Sequence, residues 1–181
     1  MNQQQLQNSG VSSGANALPK PYWNAGRRVF ALWGLIVLSG FIGTHFDQTD
    51  ATKVDLIWVV LSVIGLAYMK KQMSFEYKDL RNIFITWLVV IVFGIAMSQA
   101  AFTYVSLARL SGYLGAFWLV IMALGHAITG LIDKKKLYIA TTGLQLVAAL
   151  AIYMTPMLIL YQYLIAGVVG ALAMVMLILY A

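Results

Sequence analysis

Residues 137–180 read LYIATTGLQLVAALAIYMTPMLILYQYLIAGVVGALAMVMLILY, and this stretch contains no Asp, Glu, Lys or Arg. A single helix of that length would exceed the roughly 20 residues that cross a bilayer. Thr155 and Pro156 interrupt the run, and a proline at that point favours a tight hairpin over the interior of one long helix. The stretch therefore predicts two membrane-spanning helices joined by a short turn.

The same signal, a long apolar run without charged residues, recurs four times toward the N-terminus. The six predicted spans are residues 29–46, 56–69, 83–105, 113–132, 137–153 and 157–180. The second run is the shortest, because Asp55 and Lys70 bound it, and we expect so short a span either to have snorkelling side chains at its ends or to thin the membrane. Residues 1–28 are rich in Gln, Asn, Ser and Gly and predict a flexible polar cytoplasmic tail. We therefore expect an all-α polytopic membrane protein, a bundle of six transmembrane helices over residues 29–181.

The composition agrees with this fold class and excludes several functions. Hydrophobic residues make up 61% of the chain and charged residues 10%, whereas soluble domains are about 45–50% apolar. The chain has no cysteine, which excludes disulfide scaffolds, Cys-ligated zinc and iron–sulfur clusters. No P-loop, HExxH, GxSxG or dinucleotide motif occurs, so the sequence predicts no cofactor and no catalytic residue.

The basic residues predict the orientation, because ten of the twelve lie on one side of the predicted membrane. These ten are Lys20, Arg27, Arg28, Lys70, Lys71, Lys78, Arg81, Lys134, Lys135 and Lys136, whereas Lys53 and Arg109 lie on the other side. Cytoplasmic loops carry the excess of Lys and Arg, so both termini are predicted to be cytoplasmic in the cell membrane. The same asymmetry explains the net charge of +6, which therefore does not indicate nucleic acid binding. The expected partners are the lipid bilayer and either a second copy or another membrane protein.

Four polar side chains within the predicted spans form a candidate polar track: Gln99, His126, Gln145 and Gln162. At helical rise, Gln99 and Gln162 are expected about 9 Å deep, Gln145 near mid-bilayer and His126 about 20 Å from the outer face. Such a series suits the path of a neutral solute if the side chains converge on one cavity. The alternative is that they bridge packed helices by hydrogen bonds of about 0.6 kcal/mol each.

A candidate outer-surface cluster lies in and beside the loop after the first span, where His45, Asp47, Asp50 and Asp55 occur within eleven residues. Carboxylates suit hard cations and imidazole suits zinc, so an enzyme or cation site would be expected here if the chain had one. The spacing matches no EF-hand or HExxH pattern. Acidic residues are ordinary in a short outer loop, and we expect no tightly bound transition metal.

Small residues at packing intervals on the last span indicate a close helix crossing. The candidate helix-packing residues are Ala166, Gly167, Gly170 and Ala171. The leading functional prediction is a non-catalytic membrane protein that acts through helix packing, as a homo-oligomer or an accessory subunit. A small permease or channel that uses the polar track is the alternative, and an outer-surface enzyme ranks third. Residues 30–47 and 116–133 share few identities, so an inverted repeat of three helices is not indicated.

Overall fold

The computed structural model describes residues 20–47, 50–72, 78–104 and 111–180, and these residues form helices joined by short connections. The helices are α1 (Lys20–Asp47), α2 (Ala51–Gln72), α3 (Lys78–Thr103), α4 (Leu114–Asp133), α5 (Leu137–Met154), α6 (Pro156–Ile159) and α7 (Gln162–Tyr180). Six of them, all except the one-turn α6, are long and apolar enough to cross a membrane. The prediction of six helices of spanning length is therefore confirmed.

The first helix begins earlier than the apolar run predicts. We placed the end of the polar tail at residue 28, but α1 begins at Lys20, so residues 20–28 continue the first span as helix. Pro21 stands in the first turn of α1, where its missing N–H costs no helical hydrogen bond. Residues 1–19 of the predicted tail lie outside the described part of the chain.

The second span is also longer than its uncharged run. The helix α2 has 22 residues, or about 33 Å at helical rise, because Lys53 and Asp55 belong to its first turns rather than to a loop. Asp50 precedes the helix, and its Oδ1 accepts the backbone N–H of Lys53 at 3.1 Å, the geometry of an N-cap. The helix α2 is therefore longer than its uncharged run predicts, and its length and composition suffice to cross a membrane.

The last two spans are separated by more than a simple turn. Thr155 leaves α5 with an extended backbone, Pro156 begins the short α6, and a turn then leads into α7. Gln162 is the first residue of α7. Its expected depth of about 9 Å was counted along one helix from Pro156, whereas α6 and a turn occupy residues 156–161.

The helices pack so that α1 lies between α2 and α7, and α4 contacts α3, α5 and α7. Residues 167 and 170 of α7 meet residues 41 and 37 of α1 in reverse order, so these two helices are antiparallel. One end of the bundle therefore holds the start of α1, the end of α2, the start of α3, the α4–α5 connection and the end of α7. We call this the basic end, since it carries Arg27, Arg28 and Lys134–Lys136.

Candidate functional site

His126 of α4 and Gln145 of α5 form a buried polar pair. His126 Nδ1 lies 2.9 Å from Gln145 Oε1, and neither side chain is exposed. Since an amide oxygen only accepts, His126 Nδ1 donates this hydrogen bond and His126 Nε2 carries a lone pair. The two residues meet because the connection at Lys134–Lys136 returns α5 antiparallel to α4.

Aromatic rings and two threonines lie around the pair. The ring centre of Trp87 is 5.1 Å from that of the imidazole, nearly edge-on, and the ring of Tyr138 is 6.3 Å away. Thr129 and Thr141 stand one turn from the pair on the same helix faces. Their hydroxyls donate to the carbonyls of Gly125 at 2.8 Å and Tyr138 at 3.0 Å. These hydroxyl protons are therefore used within their own helices and do not reach the pair.

Two nitrogen atoms of the pair, His126 Nε2 and Gln145 Nε2, are buried without a hydrogen-bond partner. An unpaired buried polar group costs about 1–3 kcal/mol. A group that paired with both nitrogens would donate a proton to the imidazole and accept one from the amide. Water meets this requirement, as does a small neutral solute with a hydroxyl or amide group.

The other two residues of the candidate polar track lie apart from the pair. Gln162 Oε1 accepts the N–H of Gly115 at 2.9 Å, and Gln162 Nε2 donates to the carbonyl of Gly112 at 3.0 Å. These bonds satisfy a backbone donor in the first turn of α4, which has no partner within the helix. Gln99 is half-buried near the end of α3. Of the four track residues, all of which are described, hydrogen bonds join only His126 and Gln145.

The candidate outer-surface cluster is divided between two helix ends. His45 and Asp47 lie at the end of α1, whereas Asp50 and Asp55 lie at the start of α2. Asp50 Oδ2 is 3.3 Å from the amino group of Lys53, and the backbone N–H of Lys53 lowers the pKa of this carboxyl. Among the described residues, no three His, Asp or Glu side chains are placed to hold a metal ion.

The candidate helix-packing residues of α7 face α1 within the same chain. Ala166 is fully buried. A Cβ built on Gly167 would lie 3.0 Å from Phe41, and one built on Gly170 would lie 2.6 Å from Val37. Ala171 borders the same crossing, since its carbonyl would lie 3.9 Å from a Cβ on Gly34 of α1. The close crossing that these residues predict therefore joins the first and last helices.

Four tryptophans packed on four glycines are a feature that the sequence reasoning missed. The pairs are Trp33 on Gly65, Trp58 on Gly40, Trp87 on Gly125 and Trp118 on Gly94. A Cβ built on any of these glycines would lie 2.5 to 3.0 Å from the indole ring, so a larger residue forces the ring to move. Each pair joins α1 with α2 or α3 with α4, and each of these helices both contributes a tryptophan and receives one.

Two of the indoles are held by matching hydrogen bonds. Trp58 Nε1 donates to Thr44 Oγ1 at 2.9 Å, and Trp118 Nε1 donates to Ser98 Oγ at 3.0 Å. Each hydroxyl in turn donates, at 2.8 Å, to the carbonyl of the glycine one turn earlier. The Trp58 and Trp118 rings stack with centres 5.6 Å apart and planes 9° apart. The α1–α2 and α3–α4 hairpins are therefore built alike and meet at this stack.

The signal for this arrangement is a tryptophan followed seven residues later by a glycine in each of the first four spans. The four occurrences are Trp33–Gly40, Trp58–Gly65, Trp87–Gly94 and Trp118–Gly125. Seven residues are about two helical turns, so the two residues share a face. A search for a repeat of three helices misses the pattern, because the repeating unit is a hairpin. Equivalent residues are 54 positions apart in α1 and α3 and 60 apart in α2 and α4.

No family model, curated protein or solved structure matches this chain. Two arrangements within the described residues bear on its function. One is the His126–Gln145 pair with its two unpartnered nitrogens. The other is the set of tryptophan–glycine contacts that joins the first four helices.

Proposed function

We propose that this chain is a non-catalytic integral membrane protein that acts through helix packing, as a homo-oligomer or an accessory subunit of a membrane complex. One observation carries the proposal: the tryptophan–glycine contacts pack α1 tightly on α2 and α3 tightly on α4. The two cavities that adjoin the Trp58–Trp118 stack have volumes of about 30 Å³ each, enough for one or two water molecules. The polar groups beside the stack, Thr44 and Ser98, bond the indoles. A rigid scaffold agrees with this packing better than a solute path does.

Gly143 supports a contact outside the chain. It lies in the middle of α5, and a Cβ built on it would meet nothing within 4 Å. Glycine in a helix interior costs about 1 kcal/mol relative to alanine, and no described residue approaches this one closely enough to require it. Close approach of a helix from a neighbouring protein would account for the glycine.

For the orientation, we propose that the basic end faces the cytoplasm in the cell membrane. Cytoplasmic loops are enriched in Lys and Arg, and the α4–α5 connection at this end contributes three lysines. Burial lowers the pKa of Lys135, whereas Asp133, with its Oδ2 3.6 Å from the Lys135 amino group, opposes that shift. Reporter fusions test the orientation: a fusion after Ala181 should report cytoplasm and one at Asp50 should report the outside. An external C-terminus would overturn it.

Two measurements test the packing function: the mass of the protein particle and the flux of a neutral solute. The protein is extracted from its native membrane into lipid nanodiscs without detergent, and the mass of the particle is measured. We expect protein content above the 20.0 kDa of one chain, from further copies or from a partner in fixed ratio. We also expect proteoliposomes of the purified chain to swell no faster in glycerol than empty vesicles. A single chain that conducts solute would contradict the proposal.

A small permease for neutral solutes is the second candidate, and the two unpartnered nitrogens of the His126–Gln145 pair favour it. A solute that bonds both nitrogens in passing would be selected over the apolar surroundings. Under this function, Gln145→Leu abolishes glycerol or urea flux in proteoliposomes while the protein remains folded. Gln99→Leu is the control, because Gln99 does not touch the pair. Absence of flux in the unaltered protein would exclude this candidate for the two probes.

A further inference from the structure

The basic end of the bundle brings two cationic segments together, the start of α1 and the α4–α5 connection. Phe30 of α1 and Tyr138 of α5 meet edge to face, with ring centres 6.4 Å apart. Both helices start at the basic end, so residues that precede this contact lie closer to the membrane surface. Arg27 and Lys135 each precede it by three residues. The two cations therefore lie on the same side of the Phe30–Tyr138 contact, between it and the headgroups.

The α4–α5 connection holds Lys135 against the bundle. Lys134 ends α4 with a left-handed backbone, at a φ of 55°, a conformation that residues with a Cβ rarely adopt. The chain reverses there, and the amino group of Lys135 lies 3.6 Å from Asp133 Oδ2. The side chain of Lys135 is 27% exposed, whereas that of Lys53, in the ion pair with Asp50, is 63% exposed. Lys135 therefore does not extend freely into water.

The charges of Arg27 and Lys135 act on each other across this connection. Burial lowers the pKa of Lys135, the Asp133 carboxylate opposes that shift, and the Arg27 charge adds to it. Two cations that face each other repel, and a phosphate between them replaces the repulsion by two attractions. Exposed basic residues beside them add further positive charge: Arg28, Lys134 and Lys136.

The surroundings of this pair of cations suit an anion that comes from the membrane. The described part of the basic end has two acids, Asp79 and Asp133, and ten basic residues, so its surplus charge is positive. The helix α1 packs mainly on α2 and α7, and α5 mainly on α4 and α7. Side chains rather than close backbone packing therefore bridge α1 and α5. Basic sites between membrane-spanning helices at headgroup level are typical of anionic lipid binding.

We propose that Arg27 and Lys135 bind the phosphate of one anionic phospholipid, between the start of α1 and the α4–α5 connection. Lipid supplies the phosphate because the site lies about one helical turn outside the Phe30–Tyr138 contact, at the end of the spans. The guanidinium of Arg27 can bond two phosphate oxygens, and the Lys135 amino group reaches a third while it keeps Asp133. A zwitterionic lipid also has a phosphate, but the surplus positive charge repels its ammonium group. The site belongs to a single chain and does not depend on the packing function.

Native mass spectrometry of the full chain in a neutral detergent tests the site by counting the lipid that the protein retains. The protein is mixed with equal amounts of phosphatidylglycerol and phosphatidylcholine that have the same acyl chains. We expect each chain to retain a phosphatidylglycerol at concentrations at which it retains no phosphatidylcholine. Arg27→Gln removes charge-assisted hydrogen bonds and should weaken this retention about tenfold or more. Arg27 is exposed, so the variant should remain folded.

Arg81→Gln is the matched control, since Arg81 is also an exposed cation at the basic end but lies on α3. It should weaken retention at most about fivefold, the effect of one surface charge. Lys135→Gln should weaken retention as strongly as Arg27→Gln does. Lys135→Arg keeps the charge and should keep the lipid, which separates the loss of the cation from any other effect of changing this residue.

Three results would overturn the proposal. Equal retention of the two lipids would show that the site does not select an anionic headgroup. Equal losses in Arg27→Gln and Arg81→Gln would show a general surface charge instead of a site. Inorganic phosphate is the soluble source of the same group, and we expect it to leave the bound phosphatidylglycerol in place. If inorganic phosphate at the same concentration displaces the lipid, the site binds a free anion and the lipid assignment is wrong.

Discussion

The α1–α2 and α3–α4 hairpins have the same tryptophan–glycine contacts, but their second helices differ in their polar contacts. His126 of α4 bonds Gln145, whereas its equivalent in α2 is Leu66, which meets no polar partner. A buried polar side chain is stable only where another group completes its hydrogen bonds. The tryptophan–glycine contacts need only the two helices of one hairpin. The His126–Gln145 pair also needs α5, which packs beside α4.

The two hairpins also differ in how their second helix is capped. Asp50 caps α2 from three residues before Lys53, so the cap forms within one stretch of chain. The first turn of α4 is capped at Gly115 by Gln162, which is 47 residues later in the sequence. One cap therefore needs no tertiary structure, and the other requires α7 to be docked.

The largest expected effect tests the shared part of the two hairpins. Gly94→Leu forces a side chain into Trp118, whose ring lies 2.5 Å from a Cβ at that position and is held by the Trp58 stack. We expect a loss of at least about 1–3 kcal/mol of folding free energy, measured as a lower thermal unfolding temperature in detergent. Gly26→Leu is the control, since a Cβ built on Gly26 of α1 would meet nothing within 4 Å. Equal unfolding temperatures for the two variants would show that the contact is not tight.

The next effect tests the tertiary cap against the local one. Gln162→Leu leaves the buried Gly115 N–H without its acceptor, at a cost of about 1–3 kcal/mol. Asp50→Ala removes an exposed cap and should lower the stability less than Gln162→Leu does. Hydrogen exchange should show faster exchange at Gly115 in the first variant only. Unchanged exchange at Gly115 would mean that another group accepts this proton.

A double substitution tests whether the polar pair serves only to join helices. His126→Leu gives α4 the residue that α2 has, but alone it leaves Gln145 buried without its partner, at about 1–3 kcal/mol. Gln145→Leu alone leaves the His126 Nδ1–H unpaired at a similar cost. Replacing both removes every buried polar atom of the pair, so the double variant should unfold at a higher temperature than either single variant. Additive losses in the double variant would show that the pair stabilises the fold beyond its own hydrogen bond.

The smallest effect concerns pH and distinguishes the two caps. The backbone N–H of Lys53 holds the pKa of Asp50 below its usual 3.8. The charged cap is therefore fully present above that value and is lost as the pH falls through the lowered pKa. Fraying at the start of α2 should increase in acid, as measured by hydrogen exchange relative to Asp50→Asn, which keeps an acceptor but does not titrate. The start of α4 should lack this change, because an amide caps it.

Much of the fold can be predicted from the long uncharged apolar runs and from the residues that interrupt them. The six helices of spanning length and the break at Thr155–Pro156 are read directly from residues 137–180 and from the similar runs before them. The start of α1 and the length of α2 could not be predicted in this way, because hydropathy shows where charged residues begin and not where a helix ends. Lys53 and Asp55 are helical because the Asp50 cap starts the helix before them.

The candidate site was predicted only in part. His126 and Gln145 were both singled out from their residue type, yet Gln99 and Gln162 were grouped with them on the same grounds. Residue type and depth do not indicate which side chains share an interface, since that depends on which helix faces which. The tryptophan–glycine spacing was visible in the sequence, but its meaning depends on antiparallel helices placing each ring on the other helix's glycine.

By itself, the sequence determined the number of membrane-length helices, the concentration of basic residues in alternate connections, and the seven-residue spacing of tryptophan and glycine. These depend on transfer free energy and on helical periodicity, both of which are properties of a single segment. The tertiary structure alone decided that His126 meets Gln145, that Gln162 caps α4, and that Arg27 lies beside Lys135. Such contacts join residues that are distant along the chain, and their existence depends on the rotation and neighbours of whole helices, which no single segment specifies.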